Sequence, residues 1–117
     1  MSETTTIDVT VIEQLKELVD DEDPDFLTDL FQEYLEDVTT HLSKLVQSIE
    51  AMDTVTVVKT AHTLKGASSN LGARHMAELF TELEKTAKRE DADGARKLLS
   101  ELQKEFGNVR KAMSAYL

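Results

Sequence analysis

The stretch that decides the fold is Asp23–Met52, DPDFLTDLFQEYLEDVTTHLSKLVQSIEAM. Its apolar residues recur three and four positions apart over about seven turns, the spacing that places them on one face of an α-helix. Asp23 as the N-cap and Pro24 in the first helical position would form a start signal for this helix. The pattern predicts one long amphipathic helix with a buried stripe formed by Leu27, Leu30, Phe31, Tyr34, Leu35, Val38, Leu42, Leu45, Val46, Ile49 and Met52.

Shorter helical patterns lie on both sides of this stretch, and the breaks between them are brief. Asp53 or Thr54 can cap the third helix, and Gly72 suits the residue that closes it. Asp91 can cap the fifth helix. Short connections favour antiparallel neighbours, so we expect an all-α fold, an antiparallel up-down four-helix bundle with a short additional N-terminal helix covering one end. The predicted single domain spans residues 1–117, with helices at about 9–19, 24–52, 54–71, 73–89 and 92–115.

Composition and charge exclude several classes of function. The formal net charge is -10, which argues against nucleic acid and against anionic membrane surfaces as partners. The sequence has no cysteine, so it can form neither a disulfide framework nor a thiolate metal site. No apolar run approaches the roughly 18 residues of a membrane span, and the N-terminus lacks the pattern of a secretory signal. We therefore expect a soluble, cytoplasmic protein.

A locally basic segment covers the third helix and the start of the fourth in this acidic chain. From Thr54 to Ala77 there is no Asp or Glu, while three basic residues occur at Lys59, Lys65 and Arg74. The helical spacing predicts a buried stripe on the third helix, formed by Val57, Ala61, Leu64, Ser68 and Leu71. The residues away from that stripe therefore define an outward face.

His62 is the centre of that outward face. On an ideal helix Lys59, Lys65, Gly66 and Ser69 all lie within about 60° of it. An exposed imidazole is largely neutral near pH 7, so a ring nitrogen can act as a nucleophile. Gly66 leaves space for a bulky group, and the lysines and the serine hydroxyl suit a phosphoryl group.

Other interpretations of these residues stay open on the pattern alone. A single histidine on a helix surface is commonly a solvated residue, and a glycine can serve close helix packing. Lys59 is better interpreted as an ordinary surface lysine. His41 and His75 lack such a setting, and we interpret both as structural or solvated residues.

The run AHTLKGASSNLGA, Ala61–Ala73, closely resembles the signature of histidine phosphotransfer (HPt) domains. In that family a run of the form A-H-x-L-K-G-x-S-x-x-L-G-A surrounds a phosphorylatable histidine, and the match here covers the whole run without a gap. The resemblance extends more loosely to the stretches DPDFLTDLFQEYLEDV and RHMAELFTELEKTAK, and so to nearly the whole chain.

The resemblance implies a role for each residue of the site. His62 would carry the phosphoryl group on Nε2, Lys65 would attract its charge, and Gly66 would leave room for it and for the partner. Ser69 stands where a small polar residue near the site is common. A polar residue at the position of Glu84 can hydrogen-bond the imidazole in related proteins.

The resemblance also implies partners and a mechanism. Such domains have no kinase or phosphatase activity of their own; they accept a phosphoryl group from the aspartate of one receiver domain and pass it to another. The receiver supplies the acidic pocket and Mg²⁺, so we expect this chain to bind no metal and no cofactor. A response regulator and a hybrid sensor kinase are the expected partners of a monomeric, free-standing phosphorelay intermediate. Apolar residues near the histidine would dock the receiver, and the candidates are Phe26, Leu30, Ile12 and Val19.

Three alternative functions differ in the residues that they require. A carboxylate di-metal bundle needs Glu-x-x-His pairs that face inward, and no Glu lies three residues before any histidine here. A helical adaptor that binds receivers without accepting phosphoryl groups has the same fold. The phospho-accepting domain of a chemotaxis-type histidine kinase would also carry a similar motif.

Overall fold

The structure is a computed structural model, and it describes residues 6–19 and 24–117. Within these ranges it contains five α-helices and a closing 3₁₀ turn, and no strand. The all-α fold class predicted from the sequence is therefore confirmed. The helices are α1 Val9–Lys16, α2 Phe26–Glu50, α3 Thr54–Asn70, α4 Arg74–Lys88 and α5 Ala92–Met113, and the 3₁₀ turn is Ser114–Tyr116.

The four longer helices close into a bundle. Helix α2 packs against α3 and α5, and α4 packs against the same two helices. Each connection within the bundle is three residues long, which reverses the chain and makes consecutive helices antiparallel. The four-helix bundle is thus confirmed, and its most deeply buried side chains come from all four helices, among them Phe31, Leu45, Leu64, Phe80, Leu83 and Leu102.

The start of α2 differs from the prediction. The helix begins at Phe26, and its N-cap residue Asp25 makes no side-chain capping bond. Pro24 therefore lies before the helix instead of at its first position. The predicted cap, Asp23, lies outside the described residues.

Two residues of the predicted α2 stripe are exposed. Val46 is 38% exposed, and Met52 is 66% exposed. Met52 lies beyond the end of α2 with a φ of 56°, in the left-handed region, so the turn into α3 directs its side chain away from the core. The predicted helix ended at Met52, two residues too late, because α2 ends at Glu50.

Two aspartates cap helices of the bundle: Asp53, one of the two candidates for α3, and Asp91, as predicted for α5. An Asp53 carboxylate oxygen accepts from the Thr56 backbone N–H at 3.2 Å, and the other accepts from the Thr56 hydroxyl at 2.7 Å. These bonds lower the pKa of Asp53, so the cap stays ionised at neutral pH. Asp91 accepts from the Gly94 backbone N–H at 2.9 Å and begins α5 in the same way.

Gly72 ends α3 and also seats α1 on the bundle. Its φ is +80°, and the Ala73 N–H donates to the Ser68 carbonyl at 2.9 Å, closing the helix as predicted. The Gly72 carbonyl accepts from the Asp8 backbone N–H at 2.7 Å. A Cβ at position 72 would lie 3.1 Å from the Asp8 carbonyl oxygen and 3.1 Å from Val11 Cβ. The position therefore requires both the backbone freedom and the small size of glycine.

Helix α1 covers the end of the bundle where α3 turns into α4. Its Ile12 side chain is fully buried in the core cluster, and Leu15 packs partly against that cluster. The ordered helix stops at Lys16, three residues before the predicted end, because the Val19 N–H donates to a carbonyl three residues back and tightens the last turn.

One buried polar bond links α2 to α3. The Tyr34 hydroxyl and the Ser68 hydroxyl lie 2.6 Å apart, and Ser68 is fully buried. Burial raises the pKa of Tyr34 to about 12, with a further increase from the nearby Glu105 carboxylate and a partial offset from Ser68. The phenol therefore stays protonated. Since a hydrogen bond has a preferred direction, this contact fixes how α3 is rotated about its own axis.

Replacing Tyr34 with Phe should destabilise the bundle. The change leaves the buried Ser68 hydroxyl without this partner, so we expect the free energy of unfolding to fall by about 1 to 3 kcal/mol. Urea denaturation of the two proteins measures the difference. The control is Tyr116→Phe, which keeps the edge-on ring contact with Phe31 and should leave stability nearly unchanged. Equal stability of Tyr34→Phe and the wild type would contradict a structural role for this bond.

Candidate functional site

The site is built around His62, in the middle of α3. Its side chain is 66% exposed, while its neighbour Ala61 is fully buried and Leu64 is 2% exposed. One face of α3 thus lies in the core, and His62 lies on the opposite face, as the helical spacing predicts.

Helix α4 supplies the hydrogen-bond partner of the imidazole. Nδ1 of His62 lies 3.2 Å from Oε1 of Glu84. A carboxylate only accepts hydrogen bonds, so the contact favours the tautomer that carries its proton on Nδ1. Nε2 then keeps its lone pair. The arrangement orients the ring and leaves one nitrogen available as a nucleophile.

The Glu84 carboxylate is held in its ionised form. Its side chain is only 15% exposed. The hydrogen bond from Lys88 is the largest influence on its pKa and lowers it; burial partly opposes this, and the contact with His62 adds to the decrease. The contact with His62 is therefore present at neutral pH and is lost only as the pH falls far enough to protonate the carboxylate.

Two lysines flank this pair. Lys65 Nζ lies 3.9 Å from Glu84 Oε1, and Lys88 Nζ lies 3.2 Å from Glu84 Oε2. Lys65 was predicted as a site residue, and the structure brings it together with His62 and Glu84. Lys88 was not predicted. The only sequence signal for it is its position four residues after Glu84, the spacing of a helical Glu–Lys pair.

Gly66 and Ser69 share the exposed side of α3 with His62. A Cβ at position 66 would meet nothing within 4 Å, so Gly66 faces open space and is not required for helix packing. This excludes the packing interpretation. Ser69 is exposed and, with Lys65, borders a cleft of about 280 Å³ between α3 and α4 that is completed by Arg74, Ala77, Glu78 and Thr81.

Lys59 lies in a different concavity from the Glu84 cluster. It borders a polar hollow of about 240 Å³ between α2 and α3, lined by His41, Lys44, Thr56, Lys59, Thr60 and Thr63. No hydrogen bond or ion pair joins Lys59 to His62 or Glu84 in the described ranges. The interpretation of Lys59 as a surface lysine fits this placement better than a role beside the imidazole.

The other two histidines make local contacts. Nδ1 of His41 lies 2.7 Å from the backbone carbonyl of Asp37, one turn earlier in α2. Nδ1 of His75 lies 3.8 Å from the Glu78 carboxylate on the same helix. Their structural interpretation agrees with these positions. Across residues 6–19 and 24–117, no three His, Asp or Glu side chains are grouped so that they could hold a metal ion.

The predicted docking residues differ in burial. Ile12 is fully buried in the core, so its assignment to a docking surface is wrong: α1 turns this residue towards the bundle. Leu30 and Val19 are partly buried and pack against the core cluster. Phe26 begins α2 and is partly exposed, which leaves it as the best-placed candidate of the four.

Comparisons with known proteins agree with this geometry. The family model described as "Hpt domain" matches residues 29–112. The chain belongs to the Hpt domain family. Structurally it is similar to histidine-containing phosphotransfer protein B from Pseudomonas aeruginosa PAO1, with a TM-score of 0.87 and 29% identity, covering 97% of this chain and 96% of that one.

Two curated relatives of this Hpt domain are longer proteins. The phosphorelay intermediate protein rdeA of Dictyostelium discoideum is 30% identical over 79% of this chain and 36% of its own length. The multistep phosphorelay regulator 1 of Schizosaccharomyces pombe is 32% identical over 81% of this chain and 32% of its own length. The chain thus spans about a third of the length of these two relatives. No helix in the described part of the Hpt domain is long and apolar enough to cross a membrane.

Gly66 of this Hpt domain should be sensitive to side-chain bulk. Because a Cβ there meets open space, Gly66→Ala should fold normally and gain up to about 1 kcal/mol of stability from its helix propensity. Gly66→Gln should fold equally well but should slow phosphoryl transfer to His62, since the longer side chain occupies the approach to the ring. Thermal melts and the labelling rate of both variants measure these effects. Transfer by Gly66→Gln at the wild-type rate would contradict the steric role.

Proposed function

We propose that His62 accepts a phosphoryl group from the aspartate of a receiver domain and passes it to another receiver. One observation carries this proposal: the His62 imidazole is 66% exposed, and the ionised Glu84 engages its Nδ1, which leaves Nε2 as the nitrogen with the lone pair. Membership of the Hpt family supports it, as do relatives named as phosphorelay intermediates and histidine-containing phosphotransfer proteins.

The chemistry is an in-line displacement at phosphorus. The Nε2 lone pair of His62 forms a bond to the phosphorus of an aspartyl phosphate, the bond from phosphorus to the aspartate oxygen breaks, and the receiver carboxylate leaves with that electron pair. The proton stays on Nδ1, so the phosphorylated ring carries a positive charge until that proton is lost. Glu84 stabilises this charge through a charge-assisted hydrogen bond. The reverse reaction delivers the group to the second receiver.

Three features of α3 favour the phosphorylated state. Lys65 places an ammonium group on the same face as His62 and can attract the phosphoryl oxygens. Gly66 leaves the approach to the ring open. The segment from Thr54 to Ala77 contains no carboxylate, so no acidic side chain of α3 itself repels the incoming dianion.

The metal ion, the partners, the oligomeric state and the location belong to the same proposal. The receiver brings the Mg²⁺ that neutralises charge on its own phosphorylated aspartate, and this chain supplies the nucleophile and its orientation. The partners are receiver domains, among them the one of a hybrid sensor kinase. We further propose that the protein acts as a monomer in the cytoplasm, the usual place of receiver domains.

Replacing His62 with Gln should abolish phosphorylation. The side chain is largely exposed, so helicity and thermal stability should remain close to those of the wild type. The purified protein is incubated with each phosphorylated receiver domain of its source organism, and the fastest donor is used for all later comparisons. The label should be acid-labile and base-stable, as expected for a phosphoramidate. His41→Gln and His75→Gln are the matched controls and should be labelled normally.

Two results would contradict the function. Label on the His62→Gln protein would mean that another residue accepts the phosphoryl group. A wild-type protein that binds receivers but never acquires label would be an adaptor.

Replacing Phe26 with Ala tests the docking surface. Phe26 is partly exposed at the start of α2, so we expect receiver binding to weaken by about 1 to 2 kcal/mol, as is common for interface aromatics. Titration calorimetry with the fastest donor receiver measures the affinity, and urea denaturation measures stability. A loss of about 3 kcal/mol of folding free energy, typical of a core Phe truncation, would place Phe26 in the core instead.

A further inference from the structure

The Glu84 carboxylate is shared between two helices and three side chains. Oε1 faces His62 Nδ1 at 3.2 Å and Lys65 Nζ at 3.9 Å, both on α3. Oε2 accepts a hydrogen bond from Lys88 Nζ at 3.2 Å, within α4. Oε1 therefore contacts the imidazole, and Oε2 binds the ammonium group of Lys88. The bond at Oε2 restrains the carboxylate and, with it, the position of Oε1.

We propose that Lys88 is a positioning residue for phosphoryl transfer, and that it acts on His62 through Glu84. The inference rests on the proposed function of His62 and extends it to a residue on the neighbouring helix that the motif on α3 does not contain. Within the described part of the chain, Lys88 forms a hydrogen bond with Glu84 and none with the imidazole.

Geometry is the first argument. A glutamate side chain has three rotatable bonds, so a carboxylate held through Oε1 alone can swing away from the ring. Lys88 holds Oε2 and so restricts the carboxylate to orientations in which Oε1 faces Nδ1. The pair has the favourable order on a helix, with Glu four residues before Lys. Lys88 is also the last residue of α4, where the helix dipole favours a positive charge.

Charge is the second argument. The Glu84 carboxylate faces the imidazole; Lys65 on α3 pairs with its Oε1, and Lys88 pairs with its Oε2. An unpaired carboxylate beside the ring would repel the incoming phosphoryl dianion. Two ammonium groups offset that effect while leaving the hydrogen bond to Nδ1 intact. Removing Lys88 should therefore leave the charge of Glu84 less fully offset and slow the transfer.

Helix α4 offers a matched control. Lys85 lies three residues before Lys88, is 61% exposed against 60% for Lys88, and pairs with Glu82 at 3.9 Å instead of with Glu84. Lys85→Met and Lys88→Met remove the same charge from the same surface of one helix. Only the second change releases Glu84 Oε2.

The experiment compares transfer rates from the fastest donor receiver at neutral pH. Lys88→Met should slow transfer by about two- to fivefold, the range that exposed ion pairs support. Lys85→Met should match the wild type, and Lys88→Arg should recover most of the rate because it keeps the charge. The ¹⁵N shifts of the His62 ring should show the Nδ1-protonated tautomer less fully populated in Lys88→Met than in the wild type.

A double-variant cycle separates positioning from direct contact with the receiver. In a Glu84→Gln background, adding Lys88→Met should cause no further loss, because Lys88 then has no carboxylate to hold. The same loss in both backgrounds would mean that Lys88 touches the receiver, and the proposal would be wrong. It would also be wrong if Lys88→Met behaved like Lys85→Met, or if Lys88→Arg were as slow as Lys88→Met. In each of these outcomes the wild-type protein is still labelled on His62. If the proposed function itself were wrong, the wild type would never be labelled.

Discussion

Burial of one face of α3 determines the direction in which His62 points. Ala61 and Ser68 are fully buried, and Leu64 is nearly so; since each residue turns the helix by about 100°, His62 must emerge on the other side. Apolar burial alone has no preferred direction and would tolerate a small rotation of the helix. The short bond between Tyr34 and Ser68 removes that freedom, because it ties one defined atom of α3 to α2.

The contact between α3 and α4 completes the site. Glu84 lies 22 residues after His62 in the chain, and it reaches the imidazole because the turn between the helices is short and sharp. Gly72 makes that turn possible through its left-handed backbone and its lack of a side chain. The same residue binds the backbone of Asp8, so one position both reverses the chain and holds α1 on the end of the bundle.

The electrostatics of the site differ from those of the whole protein. The chain carries a net charge of -10, yet His62 faces one carboxylate that is itself paired with two ammonium groups. Interactions at 3 to 4 Å outweigh distant surface charges, which water and salt screen. An acidic protein can therefore present a site whose local charges suit a phosphoryl dianion.

The sequence by itself determined that the chain forms five helices, the cap at Asp91, the turn at Gly72, the outward direction of His62 and the family; for the cap of α3 it left Asp53 and Thr54 as alternatives. Each of these depends on residues close together in the chain, where helical geometry and local hydrogen bonds act. Only the tertiary structure decided that Ile12 is core, that Lys59 lies apart from the Glu84 cluster, and that Lys88 belongs beside the site. Periodicity gives a residue's direction relative to its own helix axis, but not the residue of a neighbouring helix that it meets. Which residues of two helices meet depends on how the helices are rotated and shifted against one another, and the packing of the whole core determines this.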